Sequence, residues 1–436
     1  MHKILKVSIV VLLVFILTRT FPVTGEDYTV EKLAPVSIER LSIQARARVS
    51  ATARTELAPL TSEAFATFDT LEPAASRRIP NYLRALSPSS RVSPFARLIK
   101  TVLYSGSIRP EIKMAMGLRT AQLNGSPYVA AHLQRFLGGN EYGSKLLKQI
   151  QAERLQNLEP AERHAVRYAE LLTADIHGVS DEEFRTTRGF YNDGQVVELT
   201  LTVAFFNYFT RMAEALNLPV ESWVLETRYT PSNEPHIPPV ERVNLISDAQ
   251  LQWAIGAGAR GSNRGGQPQT INMANSQRAM NLRPEIAAAW QAVFSSNGDR
   301  TIDRELRLQV SFAVSESNGC RYCTLHQVQG LRREGVPIEK LMKMKKEDAA
   351  LTPRELTAVK FARQLTRRPF AMTDTHYKTL KTEFGPQGAI ELLLQTCNFA
   401  FMNRFTDGLR LPSEDEAVRT YLEVYGKSFE RSPSRF

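Results

Sequence analysis

Apolar residues recur every three or four positions along most of this chain, and the strict alternation typical of strands is scarce. The segment 352–365 combines a capping box, a proline at the first helical position and a continuous apolar face, and 180–183 is a second capping box. Two long apolar stretches, 196–216 and 390–409, fit central helices that are buried on most sides. The pattern predicts an all-α protein with two helical bundles.

An internal repeat supports the two bundles. The stretch 124–132 (NGSPYVAAH) recurs 194 residues later at 318–326 (NGCRYCTLH), and 158–162 (LEPAE) recurs at an offset of 193 as 351–355 (LTPRE). A single deletion explains the change of offset. The chain is therefore predicted to be a tandem duplication, with a first unit at 90–225 and a second at 283–415.

The segments outside the repeats differ in character. Residues 26–89 carry helical periodicity and are predicted to form an N-terminal helical arm on the first unit. Residues 226–282 combine a proline-rich linker with a loop rich in Gly, Asn and Gln, and 416–436 is treated as a C-terminal tail.

The N-terminus has the features of an export signal. Lys3 and Lys6 precede an apolar run at 9–17, and small residues end at Gly25, so 1–25 is predicted to be a signal peptide, with an uncleaved membrane anchor as the alternative. No later stretch is long and apolar enough to span a bilayer. The mature protein is expected to be periplasmic or secreted and to have no membrane contact after cleavage.

The amino-acid composition excludes several classes of protein. Of 436 residues, 43% are hydrophobic and 23% charged, which excludes fibrous and wholly disordered chains, and three cysteines are too few for a disulfide scaffold. The formal net charge is +10, and removal of the three positive charges of the first 25 residues leaves +7. These charges are interspersed with acids, so nucleic-acid binding is not expected.

The candidate chemistry lies in the second unit. Cys320 and Cys323 form a CxxC pair at a predicted helix start, where the helix dipole favours a thiolate. His326, one turn after Cys323, is the candidate proton handler, and Glu316 and Glu305 are the candidate carboxylates on one face of the preceding helix.

Other interpretations of the same residues remain open. Export to an oxidising compartment would close a purely structural disulfide between Cys320 and Cys323. A zinc site would have one ligand missing, and Thr324 stands where a c-type haem motif requires histidine. We therefore expect neither a metal nor a cofactor.

The motif Asn-Gly-Cys-x-Tyr-Cys, together with Glu305, 361–365 and Asn403-Arg404, resembles the alkylhydroperoxidase D-like branch of the carboxymuconolactone decarboxylase family. The resemblance covers both repeats. It implies a helical unit that forms homo-oligomers and reduces peroxides with thiols that a disulfide reductant regenerates, here an exported dithiol partner.

The resemblance also implies roles for single residues. Cys323 would attack the peroxide and Cys320 would resolve the product. The family usually has a histidine four residues after the second cysteine and a glutamate twelve residues before the first, and Gln327 and Leu308 occupy these positions here. His326, Glu316 and Glu305 are proposed as substitutes and are not matched by the motif.

The first unit lacks this chemistry because Ser126 and Val129 replace the two cysteines. It is predicted to be a scaffold, with His132 packed or hydrogen-bonded. Cys397, in the apolar central helix, is predicted to be a buried core residue. The matching Glu198 and Glu391 are either buried at a pocket or solvent-facing.

Three functions follow from these observations. The first is an exported thiol-dependent peroxidase that uses Cys320 and Cys323. The second is a decarboxylase-like lyase that acts on a small carboxylated substrate and depends on His326 instead of thiols. The third is a non-catalytic scaffold stapled by a disulfide.

Overall fold

The computed structural model describes residues 34–59, 78–226, 274–295, 300–345, 350–426 and 429. The predicted signal peptide 1–25, the proline-rich linker and most of the loop at 256–277 lie outside the described residues. Within the described residues there are 18 α-helices and no strand, which confirms the all-α prediction.

The first half of the described chain contains ten α-helices, of which one belongs to the N-terminal arm and nine to the first unit. They are α1 (Ile38–Ala47), α2 (Asn81–Leu86), α3 (Val92–Tyr104), α4 (Pro110–Asn124), α5 (Pro127–Leu137), α6 (Glu141–Gln151), α7 (Pro160–Ala174), α8 (Asp181–Phe190), α9 (Asp193–Ala215) and α10 (Ser222–Glu226). Short 3₁₀ turns at Arg48–Ser50 and Leu155–Asn157 lie between them.

The second half repeats this order. Its helices are α11 (Asn275–Met280), α12 (Pro284–Ser295), α13 (Arg304–Asn318), α14 (Arg321–Arg333), α15 (Ile338–Met344), α16 (Pro353–Arg367), α17 (Asp374–Gly408) and α18 (Asp415–Tyr425). A 3₁₀ turn at Pro369–Ala371 precedes α17. Because α17 breaks at Gly385, whose φ is +70°, its two parts correspond to α8 and α9.

The helices α2–α10 and α11–α18 therefore correspond one to one, and we call them the first and second units. The domain boundaries given above stay predictions, but the corresponding helices extend past them at both ends. In particular, α18 (Asp415–Tyr425) extends into the segment 416–436 that is predicted to be a C-terminal tail, and it packs on α14. The capping box at 352–355 is present as predicted.

The two units pack through their central helices, α9 and the second part of α17. Both are buried almost throughout, as the apolar pattern predicts. Arg211 donates to the Thr366 carbonyl of the other unit at 3.2 Å, and Arg404 donates to the Thr173 carbonyl at 3.1 Å. These matched contacts, together with the contact between α3 and α12, show that the units are related by an approximate twofold arrangement.

In each unit, a buried carboxylate accepts hydrogen bonds from the backbone that leads into a helix, α4 in the first unit and α13 in the second. Glu198 accepts the N–H groups of Ser107 and Ile108 and lies 2.5 Å from the ammonium of Lys113, with Arg283 also in contact. Glu391 likewise accepts the N–H groups that precede α13. Both carboxylates are buried, which excludes the solvent-facing alternative.

Helix α1, in the segment predicted to be an N-terminal arm, packs on α5 of the first unit. Arg48, at the end of α1, forms a 2.7 Å ion pair with Glu214 of α9. Within the described residues, no helix combines the length and apolar character needed to cross a membrane.

Candidate functional site

The candidate site begins at the break between α13 and α14. Gly319 ends α13 in the left-handed conformation, with φ at +69°, which glycine adopts without steric cost. The Asn318 amide donates to Asn403 of α17 at 2.8 Å, and the Cys320 N–H donates to the Ser315 carbonyl at 2.8 Å. Cys320 is thereby fixed as the N-cap of α14, so the pair lies at a helix start as predicted.

Both thiols converge on one hydroxyl group. The sulfurs of Cys320 and Cys323 each lie 3.4 Å from Thr406 Oγ1, and the Cys323 N–H donates to Cys320 Sγ at 3.3 Å. Cys320 is fully buried, Cys323 is 4% exposed, and both are free thiols. The helix turn and Thr406 therefore hold two thiols side by side, as a dithiol centre requires.

The pKa of Cys320 disagrees with the prediction that the helix start favours a thiolate. Burial, reinforced by the neighbouring Cys323 and by Asp407, raises the pKa of Cys320 well above its usual value. The Thr406 hydroxyl donates to the Met402 carbonyl at 2.9 Å and in that orientation accepts from the thiols. For Cys320, burial thus outweighs the helix dipole and favours the protonated thiol.

The other unit covers the pair. Ile176, between α7 and α8 of the first unit, belongs to the same buried apolar cluster as the two cysteines, and His177 lies with Nε2 3.1 Å from the Gly319 carbonyl oxygen. At the matching place in the first unit, Phe370 of the second unit covers Gly125. The dithiol is therefore enclosed by both halves of the molecule. Sequence reasoning missed Ile176 and His177, because no local pattern links residues about 140 positions apart.

His326 contacts a carboxylate that the sequence analysis did not identify. Its Nε2 lies 2.6 Å from Glu414 Oε2, at the start of α18, and its Nδ1 lies 2.7 Å from the Tyr322 carbonyl oxygen. The Tyr322 hydroxyl donates to Glu414 at 3.0 Å, and the Asn275 N–H donates to it at 2.5 Å. Glu414 thus joins the starts of α11 and α18 to α14.

The first unit has the same arrangement without cysteines. His132 lies 3.0 Å from Glu221, the Tyr128 hydroxyl donates to Glu221 at 2.9 Å, and the Asn81 N–H also contacts this carboxylate. His132 is therefore hydrogen-bonded, as predicted.

The surroundings of Glu221 and Glu414 favour the ionised form of both carboxylates. Burial alone would raise the pKa of Glu221 and of Glu414, but the neighbouring histidine and a backbone N–H lower each pKa below its usual value. Because the same contacts exist where no thiol is present, they indicate that His326 serves the helical framework.

The two candidate carboxylates of α13 share one face, as the spacing predicts, but this face points towards α16. Glu305, in the first turn, forms a 2.9 Å ion pair with Lys340, which also binds Glu355. Glu316 lies 4.0 Å from Arg363. Glu305 is separated from the thiols by most of the length of α13, about 20 Å. The structure thus brings the two cysteines together with Thr406 and places Glu305 elsewhere.

The positions that the resemblance assigns to the usual glutamate and histidine, Leu308 and Gln327, line one cavity of about 290 Å³ beside α14. Cys397 is fully buried in α17, as predicted. Within the described residues, no group of three or more His, Cys, Asp or Glu side chains is arranged to hold a metal ion.

Part of the second unit is similar to a known protein family. The sequence profile of the carboxymuconolactone decarboxylase family matches residues 284–364. Among solved structures, a cysteine-to-alanine variant of the debrominase Bmp8 in complex with 2,3,4-tribromopyrrole matches with 22% identity and a TM-score of 0.33, over 35% of this chain and 83% of that chain. No curated protein matches the chain significantly.

Proposed function

We propose that the chain is a thiol-dependent oxidoreductase that reduces peroxides with Cys320 and Cys323, and the match of residues 284–364 to the carboxymuconolactone decarboxylase family supports this proposal. The observation that carries the proposal is the convergence of both sulfurs on Thr406 Oγ1 at the start of α14. A pair of adjacent free thiols can form a disulfide without a large backbone movement, which is what a two-electron reduction requires.

The reaction balances with a peroxide as oxidant and a dithiol as reductant. The Cys323 thiolate attacks the distal peroxide oxygen, the O–O bond breaks, and the leaving alkoxide or hydroxide takes up a proton, which leaves Cys323 as a sulfenic acid. The Cys320 thiol then attacks the Cys323 sulfur, which forms the disulfide and releases water. A dithiol partner reduces this disulfide and is itself oxidised.

The environments of the two thiols favour this division of roles. Cys320 is fully buried and its raised pKa keeps it protonated, which suits a resolving thiol that reacts only after the sulfenic acid forms. Cys323 is 4% exposed and is thus the less buried of the two, which suits the thiol that meets the peroxide first. The restricted exposure favours small peroxides over bulky ones.

The proposal also includes export of the protein. Residues 1–25 serve as an export signal, so the reductant is an exported dithiol protein, and the first unit acts as a scaffold that encloses the pair. N-terminal sequencing of the mature chain tests the cleavage after Gly25.

Trapping of the sulfenic acid tests the assigned nucleophile. In the Cys320→Ser variant, one equivalent of hydrogen peroxide followed by dimedone is expected to give an adduct at Cys323, because the sulfenic acid has no resolving thiol. Peptide mass spectrometry locates the adduct. The double variant Cys320→Ser/Cys323→Ser, which retains Cys397, is the matched control. An adduct on Cys397, or none on Cys323, would contradict the proposal.

A further inference from the structure

The cavity beside α14 has a cationic wall. Four arginines line it, and no carboxylate of the described chain does. They are Arg91, Arg300, Arg304 and Arg307. Arg91 comes from the first unit, where it caps α3, whereas Arg304 and Arg307 lie in the first turn of α13 and Arg300 lies in the segment that leads into it. Both halves of the molecule therefore contribute positive charge to the same cavity.

Two of the four arginines already face carboxylates that do not line the cavity. Arg304 pairs with Glu334 at 2.7 Å, and Arg307 lies 3.4 Å from Glu391. Arg91 differs, because it is only 9% exposed and its Nε has no hydrogen-bond partner among the described residues. A buried guanidinium without a carboxylate is costly, and an anion in the cavity would offset that cost.

The other residues that line the cavity indicate what kind of ligand would fit it. Phe294, Leu308 and Phe399 supply apolar surface. Gln327 Oε1 and Asn398 Oδ1 are buried acceptors without partners in the described chain, and each would accept a hydrogen bond from a ligand hydroxyl or N–H group. The volume of about 290 Å³ has room for roughly ten non-hydrogen atoms.

The cavity is not a general feature of the repeat, because the first unit fills the corresponding place with side chains. At the positions of Gln327, Asn398 and Phe399 it has Leu133, Phe205 and Phe206, all buried. The Phe206 ring packs so closely on Gly117, the counterpart of Ser311, that a Cβ there would lie 2.4 Å from it. The same place is thus filled with aromatic rings in one unit and left open, polar and cationic in the other.

We propose that this cavity binds a small organic anion, with its carboxylate held by Arg91 and Arg300 and a compact apolar or aromatic body against Phe294 and Phe399. The site lies next to the dithiol, since Phe399 also packs against the cysteine cluster. Binding does not depend on thiol chemistry, so this proposal and the proposed function can fail separately.

Calorimetric titration of the full chain with benzoate, and with neutral benzamide as the matched probe, tests the site. Benzoate is expected to bind with a Kd of about 1 mM or tighter, and benzamide at least about tenfold more weakly. Equal binding of the two probes, or no heat from benzoate up to about 10 mM, would overturn the proposal.

Two variants locate the binding. Arg91→Gln is expected to weaken benzoate binding by at least about tenfold while the melting temperature of the free protein stays equal or rises, because an uncompensated buried charge is removed. Arg97→Gln, an exposed arginine of the same helix, is the matched control and should bind as the parent does. Asn398→Phe, which copies the first unit, should abolish binding. Unchanged affinity in Arg91→Gln with a lowered melting temperature would assign Arg91 a purely structural role.

Discussion

Replacing Cys323 with serine is expected to lower the consumption of hydrogen peroxide with dithiothreitol by about two orders of magnitude or more, to the rate of dithiothreitol alone. Serine keeps the size of the side chain and the contact with Thr406 but cannot form a sulfenic acid at neutral pH. The measurement is the initial rate of peroxide loss at equal concentrations of folded protein.

The third cysteine provides the control for this variant. Cys397 lies fully buried in α17, where burial raises its pKa, so Cys397→Ala should retain most of the activity. A second comparison, His326→Gln, separates a proton relay from the framework role that its contact with Glu414 indicates. Peroxide consumption that persists in Cys323→Ser and disappears in His326→Gln would contradict the thiol mechanism and assign the reaction to His326.

Replacing Glu198 with glutamine is expected to lower the free energy of unfolding by about 3–5 kcal/mol. The carboxylate is fully buried beside Lys113 and Arg283, and glutamine would leave the buried ammonium of Lys113 without its anion, whereas Arg283 would keep its contact with Glu285. It would also weaken the hydrogen bonds from the N–H groups of Ser107 and Ile108. Urea denaturation followed by far-ultraviolet circular dichroism measures the loss.

Two variants control for the charge change. Glu182→Gln alters an exposed carboxylate of α8 and should leave stability nearly unchanged. Glu391→Gln should cost less than Glu198→Gln, since its cation, Arg307, is partly exposed and 3.4 Å away. Equal stability of Glu198→Gln and the parent protein would mean that the buried ion cluster does not hold the first unit together.

Most of the fold could be predicted because its signals are local and occur twice. The capping box at 352–355, the apolar stretches at 196–216 and 390–409, and the offsets of 194 and 193 each describe one helix or one repeat. The position of Cys320 at the start of α14 also follows from a local signal, the glycine before it. Helix boundaries depend on neighbouring residues in the chain, so the sequence reports them directly.

The surroundings of the thiols could not be predicted in this way. Spacing places His326 one turn after Cys323 but does not reveal Glu414, which lies near the end of the predicted second unit and far from His326 in the sequence. It does not reveal Thr406 or Ile176 either, because their contacts depend on how α17 and the first unit pack on α14. The thiolate predicted from the helix dipole is disfavoured at Cys320 for the same reason, since burial comes from distant elements.

The comparison of the two units separates framework from chemistry. The carboxylate, histidine and tyrosine of Glu414, His326 and Tyr322 have counterparts in the first unit, so they stabilise the repeat. The thiols have none: Ser126 replaces Cys320 and donates to Glu214 at 2.7 Å. Within the described residues, the dithiol belongs to the second unit, and the cationic cavity beside it is lined mostly by that unit, together with Arg91 of the first.

The reduction potential of the Cys320–Cys323 pair in the purified mature protein tests most directly whether it is a working redox centre. Equilibration in thiol buffers of defined ratio, followed by alkylation of free thiols and mass spectrometry, gives the value. A potential between about −120 and −270 mV is expected, which is the range of dithiols that cycle with protein partners. A potential below about −300 mV would identify a structural disulfide and contradict the proposed peroxidase.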